Sequence, residues 1–318
     1  MKSKFLKFGA VLLGFGSFIS APRAADVPES VGEFSVGCYS VKRAVFDNIG
    51  STQTITNQAL DDLASGNTQK FLSLFRQDRL FENQVLLVTA RSQTAGIGQH
   101  GRKWESPVGN VYATFVFPFP EATQLFYLPQ ITNLAVCETV EMFGFSPKFK
   151  WINDTLLDGK KCSGTLCTSK GIFDYRGSDG NVKKYNAFVA GIGLNVNMDL
   201  QTAQERFESI DDSMKVPFTS MRISSGRSFD VENTLTCLTH NLVRLYGNFV
   251  SEKSFDSFFP RINKRLAYIN SNIMYEESKE VQPVQAVLSG INVDGMAVLK
   301  FQDGTQKTVL TGRIRPIE

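Results

Sequence analysis

The chain has 318 residues, 42% of them hydrophobic, and Lys+Arg 34 against Asp+Glu 31 leaves a formal charge of only +3. Such a length supports one large domain plus a smaller one, and so small a charge excludes a general nucleic-acid or anionic-membrane surface; any basic site must be local. The five cysteines, Cys38, Cys137, Cys162, Cys167 and Cys237, are odd in number and scattered. They read as reduced thiols, and with His100 and His240 the only histidines, Cys162 and Cys167 lack the partners of a zinc site.

The N-terminus differs in kind from the rest. Lys2, Lys4 and Lys7 precede an apolar run from Phe8 to Ile19, followed by small residues, Pro22 and Arg23. That order is the pattern of a signal or import leader over residues 1–25, and the run is too short to span a bilayer comfortably. No later stretch reads as a membrane span, so no stable membrane association is expected.

Val41 to Asn48 then reads as a strand, and Ser51-Thr52-Gln53 opens a helix running towards Leu63, with the Ser51 hydroxyl placed to satisfy an orphan backbone donor. Gln84 to Ala90 is a short β-branched apolar run, a buried strand by its length, and a glycine-rich loop follows at once. Tyr112 to Phe117 reads as a strand ended by Pro118 and Pro120. Leu128 to Phe143 has helical apolar spacing, Phe149 to Ile152 reads as a strand, and Asp158-Gly159 suits a hairpin turn into Cys162 to Thr168. Tyr185 to Asn197 is another strand and Val231 to Val250 the longest helix.

Composition shifts near Pro260. Val281 to Leu288, Ala297 to Phe301 and Thr308 to Leu310, separated by Asp294-Gly295 and Asp303-Gly304, make a small β module of at most about five strands. Strands and helices alternate irregularly, so the fold class is α+β. The expected organisation is a leader over 1–25, a catalytic unit over 37–262 and a β module over 263–318.

Gly96-Ile97-Gly98-Gln99-His100-Gly101 matches the dinucleotide-binding glycine pattern, with Glu121 at the spacing of its acidic residue. That pattern must open a helix facing the pyrophosphate, whereas here Arg102-Lys103-Trp104-Glu105-Ser106-Pro107 runs through a proline into a strand. The glycines still let backbone N–H groups approach a ligand, Arg102 and Lys103 bring charge for a phosphate, and Trp104 a flat face for a base. Lys150-Trp151-Ile152-Asn153-Asp154, then Lys161-Cys162-Ser163-Gly164, then Gly191 to Asn197 follow in order. Taken alone, Lys161 would read as a solvated hairpin lysine.

In combination these segments resemble the biotin–protein ligase family. The resemblance rests on Ser51-Thr52-Gln53, on Gln93 to Trp104 with Ser106-Pro107 and Gly109-Asn110, on Lys150 to Asp154 with Lys161 and Gly164, on Gly191 to Asn197, and on Thr219-Ser220-Met221, similar to the family's Thr-Ser-Leu segment. It implies a mixed-sheet catalytic domain related to class II aminoacyl-tRNA synthetases, followed by a small SH3-like β-barrel module. It further implies that biotin and ATP, with Mg2+, give biotinyl-adenylate, and that the acyl group passes to a lysine of a biotin carboxyl carrier protein or domain. Some relatives carry an N-terminal helix-turn-helix; with only about 40 residues ahead of the catalytic region, most of them leader, no nucleic-acid partner is expected here. A homodimer is compatible with the resemblance.

Position by position, the resemblance assigns Ser51, Thr52, Gln53 and Gln93 to biotin, with Gly96, Ile97, Gly98 and Gln99 closing over it and Gly164 beside it. Lys161 and Arg102 take the catalytic places, Lys161 between the biotin carboxylate and the α-phosphate. Arg102, Trp104, Asn153, Asp154 and Asn195 fall on the ATP side, with Asp154 also a candidate Mg2+ ligand. Ile97 and Gln99 stand where many relatives have arginines, and Ile152 where a proline is common; an amide at 99 cannot supply the charge of an arginine, so the expectation is either partial compensation by His100 or Lys103 or a readier leak of the intermediate. A lipoate or octanoate ligase of the same superfamily would not need the Ser51-Thr52-Gln93 polar set; a non-catalytic biotin-binding homologue would not need Lys161, Arg102 and Asp154. ATP-dependent chemistry and free thiols point to an intracellular setting, the cytoplasm, or a plastid or mitochondrion if the leader works.

Overall fold

Every second residue of a strand faces the same way, and in Gln84–Gln93 both sets are apolar: Val85 and Leu87 enter one buried cluster, Leu86 and Val88 another. A strand reads as a continuous apolar run when both faces of its sheet are covered. A computed structural model of the chain describes residues 27–120, 126–210, 212, 215–278 and 280–317, with the His100 side chain excluded. The leader expected over 1–25 and Glu121 lie outside these residues.

In chain order the strands are β1 (Ser30–Val36), β2 (Tyr39–Ile49), β3 (Leu80–Phe81), β4 (Gln84–Gln93), β5 (Val111–Phe119), β6 (Lys148–Lys150), β7 (Asp154–Leu157), β8 (Lys160–Arg176), β9 (Val182–Leu194), β10 (Asn272–Glu276), β11 (Val284–Ile291), β12 (Ala297–Phe301), β13 (Gln306–Val309) and β14 (Arg313–Pro316). The helices are α1 (Thr52–Ala64), α2 (Gln69–Phe75), α3 (Leu128–Met142), α4 (Leu200–Glu208), α5 (Met221–Ser225), α6 (Val231–Glu252) and α7 (Phe259–Arg265). The large sheet runs β1-β2-β4-β5-β9-β8-β7-β6, with β3 beside β8. Its β2–β4 pair is parallel, joined through α1 and α2, and β4-β5-β9-β8-β7-β6 are antiparallel neighbours.

Helices α1 and α2 cover one face, burying Ile55, Leu60, Phe71 and Leu74 against Phe46, Leu86 and Val116. Helices α3 and α6 cover the other, where Leu134, Val140, Leu238 and Leu242 meet Leu87, Phe115 and Ile192. The second sheet, β13-β12-β11-β10-β14, is antiparallel throughout, and its turns place Gly295 and Gly304 at positive φ as Asp-Gly pairs suggest. Ile273, Leu288 and Leu299 belong to the same continuous cluster as α3 and α6, and Gln130 donates to the Gly295 carbonyl at 2.9 Å. The expected units 37–262 and 263–318 therefore share one core. Among the described residues no helix is long and apolar enough to cross a membrane.

Several expectations change. β1, α2, α4, α5 and α7 did not stand out in the sequence. The strand expected over Phe149 to Ile152 ends at Lys150, with the chain turning at Trp151 to Asn153. β5 runs through Pro118, paired with Ala187 on β9. Proline is tolerated there because β4 pairing stops at Val116, so no ladder donor is missing on that side, and the Pro118 carbonyl accepts from the buried hydroxyl of Tyr246. Tyr246→Phe leaves that carbonyl without its partner and should cost about 1–3 kcal/mol in denaturant unfolding; a loss below about 0.5 kcal/mol would show that Pro118 needs no such partner.

Candidate active site

Strand β4 carries the chain to Gln93, and the glycine loop that follows is tied to what precedes it: Thr94 N–H donates to Ile49 and Ala95 N–H to Gly50. The loop then folds back on itself, Gly98 N–H donating to the Arg102 carbonyl at 2.7 Å and Trp104 N–H to Gly96 at 2.8 Å. Only a single 3-10 turn, Gln99–Gly101, interrupts this hairpin-like return, so no helix N-terminus faces a pyrophosphate there. The dinucleotide pattern is formal, as its proline-broken context suggested.

Ser51 caps α1, its hydroxyl accepting from Thr54 N–H at 3.3 Å, and this sets Thr52 and Gln53 in the first turn over the sheet. The Gln93 amide joins strand to helix: its Oε1 accepts from Thr52 N–H at 2.8 Å and from the Thr52 hydroxyl at 3.1 Å, while its Nε2 donates to Ser106 at 2.8 Å. Thr114 on β5 donates to the Thr52 hydroxyl at 2.9 Å. These hydroxyls and amides form one buried network at one end of a cleft of about 530 Å³, an end that suits a ligand rich in donors and acceptors.

Lys161 stands in the same cleft. A bulge places Lys161 opposite Leu156 and Ser163 opposite Thr155, leaving Cys162 as the extra residue of β8; such bulges re-aim neighbouring side chains. The backbone of Lys161 is gripped by Pro217 and Thr219, at 2.7 and 2.9 Å. Its Nζ lies 2.6 Å from Asp154, whose other oxygen meets Lys150 at 3.0 Å. Burial pushes the Lys161 ammonium down to about 8 against the opposing pull of Asp154. Burial alone would raise the Asp154 carboxyl, but the two ammonium groups hold it down to about 2.

Trp104 lies on a bed without side chains. Gly193 of β9 and Gly164 of β8 are register partners, and a Cβ on Gly193 would fall inside the Trp104 indole. One step along β9, a Cβ on Gly191 would strike the Gln53 carbonyl oxygen. The alternating glycines of Gly191-Ile192-Gly193 thus make room for Gln53 and Trp104 on one face of the sheet. Trp104 is only 8% exposed, because the Arg206 guanidinium lies 3.9 Å over its ring.

The cleft unites Ser51, Thr52, Gln53, Gln93, Ile97 and Gly98 with Gln99, Arg102, Trp104, Asn153, Lys161 and Gly164. Three expected site residues lie behind its wall, which revises their roles. Gly96 is engaged backbone to backbone with Trp104. Asp154 is buried and committed to Lys161 and Lys150, so it is a counter-ion and no open Mg2+ ligand; among the described residues no three His, Cys, Asp or Glu side chains converge on a metal site. Asn195 is buried, donating to the Thr219 carbonyl at 3.0 Å and accepting from Arg206 at 3.5 Å. Lys103 lines the cleft at an exposed position, paired with Glu105 at 2.6 Å, and the side chain of His100 lies outside the described residues.

Arg206, Phe218, Thr114 and Asp212 line the same cleft and did not stand out in the sequence. Ala203, Arg206, Phe207 and Ile210 follow helical spacing, so periodicity could have found α4; nothing local tells that its arginine turns inward.

A model of the biotin/lipoate A/B protein ligase family matches residues 49–175. The bifunctional ligase/repressor BirA of Bacillus spizizenii is 30% identical over 159 residues, 48% of this chain and 44% of that protein. The biotin–[acetyl-CoA-carboxylase] ligase of Paracoccus denitrificans is 35% identical over 113 residues, 34% of this chain and 43% of that protein. The chain thus spans less than half the length of either relative. A biotin protein ligase from Aquifex aeolicus, solved in complex with biotin and ATP, shares the fold with a TM-score of 0.60 at 22% identity, over 86% of this chain and 97% of that one. The glycine loop, Lys161 and Gly164 all lie inside the segment, residues 49–175, that matches the biotin/lipoate A/B protein ligase family model.

Proposed function

We propose that the protein is an ATP-dependent biotin–protein ligase. The observation that carries this reading is the Lys161 ammonium in one cleft with both the Ser51-Thr52-Gln93 network and the glycine loop. The polar end takes the ureido ring of biotin, with Gln53 beside it and the Ile97-Gly98-Gln99 segment closing over it; a buried ureido group binds well only when each donor and acceptor is matched. Lys161, with Gly164 at its side, lies between the biotin carboxylate and the α-phosphate, offsetting their repulsion and the charge that builds on phosphorus. Arg102 takes phosphate oxygens and Asn153 lies on the nucleotide side. Asp154 and Asn195 act from behind, holding Lys161 and Arg206, and Trp104 lies within the cleft under the Arg206 guanidinium.

The carboxylate oxygen attacks the α-phosphorus as the bond to pyrophosphate breaks. The neutral amine of an acceptor lysine then attacks the acyl carbon, AMP leaves, and the amine sheds a proton. No covalent enzyme nucleophile is required, and holding the reactants in line supplies up to roughly 7–11 kcal/mol. With Asp154 engaged by two lysines, Mg2+ enters with the nucleotide as MgATP.

The names of the Paracoccus and Aquifex relatives support this reading. It takes a biotin carboxyl carrier domain as acceptor, residues 37–262 as the catalytic unit and 263–318 as an SH3-like module, and it is compatible with a homodimer. Free thiols at all five cysteines fit an intracellular compartment, the cytoplasm or an organelle.

Incubation with MgATP, a carrier domain and either biotin or lipoate, read by mass spectrometry, should add biotin alone, and Lys161→Ala should abolish the gain; lipoylation without biotinylation would overturn the assignment. The ammonium of Lys161 is present below its folded value of about 8 and is lost above it. The kcat/KM of biotin-dependent pyrophosphate exchange should therefore fall by about tenfold per pH unit on the alkaline side, and Asp154→Asn should move that limb to lower pH; a profile flat to pH 10 contradicts the role of Lys161. Gly193→Ala should displace Trp104, visible in its fluorescence, and weaken ATP binding more than biotin binding.

A further inference from the structure

Four cations line the cleft: Arg102, Lys103, Lys161 and Arg206. Three of them already face a carboxylate, Arg102 with Asp212 at 3.7 Å, Lys103 with Glu105 at 2.6 Å and Lys161 with Asp154 at 2.6 Å. Arg206 is different. It is 5% exposed, and among the described residues no carboxylate lies within ion-pair distance of it; its described hydrogen bond is the 3.5 Å contact to Asn195 Oδ1. A guanidinium carries five N–H donors, and burying such a charge without a counter-ion is costly.

The surroundings of Arg206 decide what it can bind. Its guanidinium carbon lies 3.9 Å from the Trp104 ring centre and 4.2 Å from that of Phe218, so two aromatic rings cover it and the donors at its edge remain for in-plane acceptors. A pair of oxygens on a phosphate fits that fork; a base stacked on the guanidinium, which needs an open face, does not. Lys161 Nζ stands 5.3 Å from the same indole, so both cations border one region of the cleft. Burial lowers the guanidinium only to about 10, which leaves it charged at neutral pH.

We propose that Arg206 is a phosphate ligand of this cleft, its edge donors holding the phosphate that Lys161 faces and keeping the acyl-adenylate in place until the acceptor arrives. The proposal deepens the ligase reading and rests on it. It also answers a gap in the glycine loop, where Ile97 and Gln99 carry no charge and Lys103 is paired with Glu105.

The test uses the full chain and the variants Arg206→Gln and Arg206→Lys, with calorimetric titration of ATP, inorganic pyrophosphate and biotin, and chromatography of released biotinyl-adenylate. Arg206→Gln should weaken ATP and pyrophosphate binding by about ten- to a hundredfold, leave biotin binding unchanged and raise release of free adenylate, with Arg206→Lys recovering only part of the loss. Unchanged ATP and pyrophosphate affinity in Arg206→Gln overturns the proposal while leaving the ligase reading intact. Wild type that fails to biotinylate a carrier, yet binds pyrophosphate through Arg206, overturns the ligase reading and keeps the anion site. Should Arg206→Gln not fold, pyrophosphate added to wild type must still change tryptophan emission as the guanidinium shifts on Trp104; no change overturns the proposal.

Discussion

One buried carboxylate between two ammonium groups is the constraint on which the rest of this structure depends. Asp154 meets Lys161 at 2.6 Å and Lys150 at 3.0 Å, so two positive charges share one negative charge behind the wall of the cleft. Removing charges from water is repaid only by close, well-directed partners, and the local excess of positive charge is a standing demand for an anion. Arg206, buried a short way off between Trp104 and Phe218, adds to that demand.

The frame exists to hold these charges in register. A sheet with both faces covered is rigid enough to fix a bulge at Cys162, and the bulge with the Pro217–Thr219 segment aims Lys161. Glycines in alternate places on β9 let an amide and an indole lie directly on the strand. The C-terminal sheet joins in through charge as well as apolar contact: Arg313 on β14 pairs with Asp212 and with Glu276 on β10, and Asp212 also faces Arg102 of the glycine loop. The small module is thereby connected to the mouth of the cleft through a single carboxylate.

The long, strongly patterned elements were legible in the sequence for physical reasons. Val231–Glu252 carries an apolar stripe and an Asp230 cap, Gln84–Gln93 is apolar on both faces, and Asp-Gly pairs can hardly do other than turn. The short helices α2 and α7 have too few turns to establish a period. Pro118 does not end β5, because whether a proline breaks a strand depends on where the neighbouring strand stops pairing.

The site divides along the same line. The sequence alone determined the cleft-forming segments, because close-approach glycines, a helix-capping serine and a lysine ahead of a glycine are local requirements of backbone and charge. Only the tertiary structure decided that Asp154 is a counter-ion, that Asn195 lies behind the wall, that Trp104 is covered, and that Arg206 turns inward. Those outcomes turn on which charges and rings meet across distant segments, and an ionic or aromatic partner has no fixed spacing along the chain.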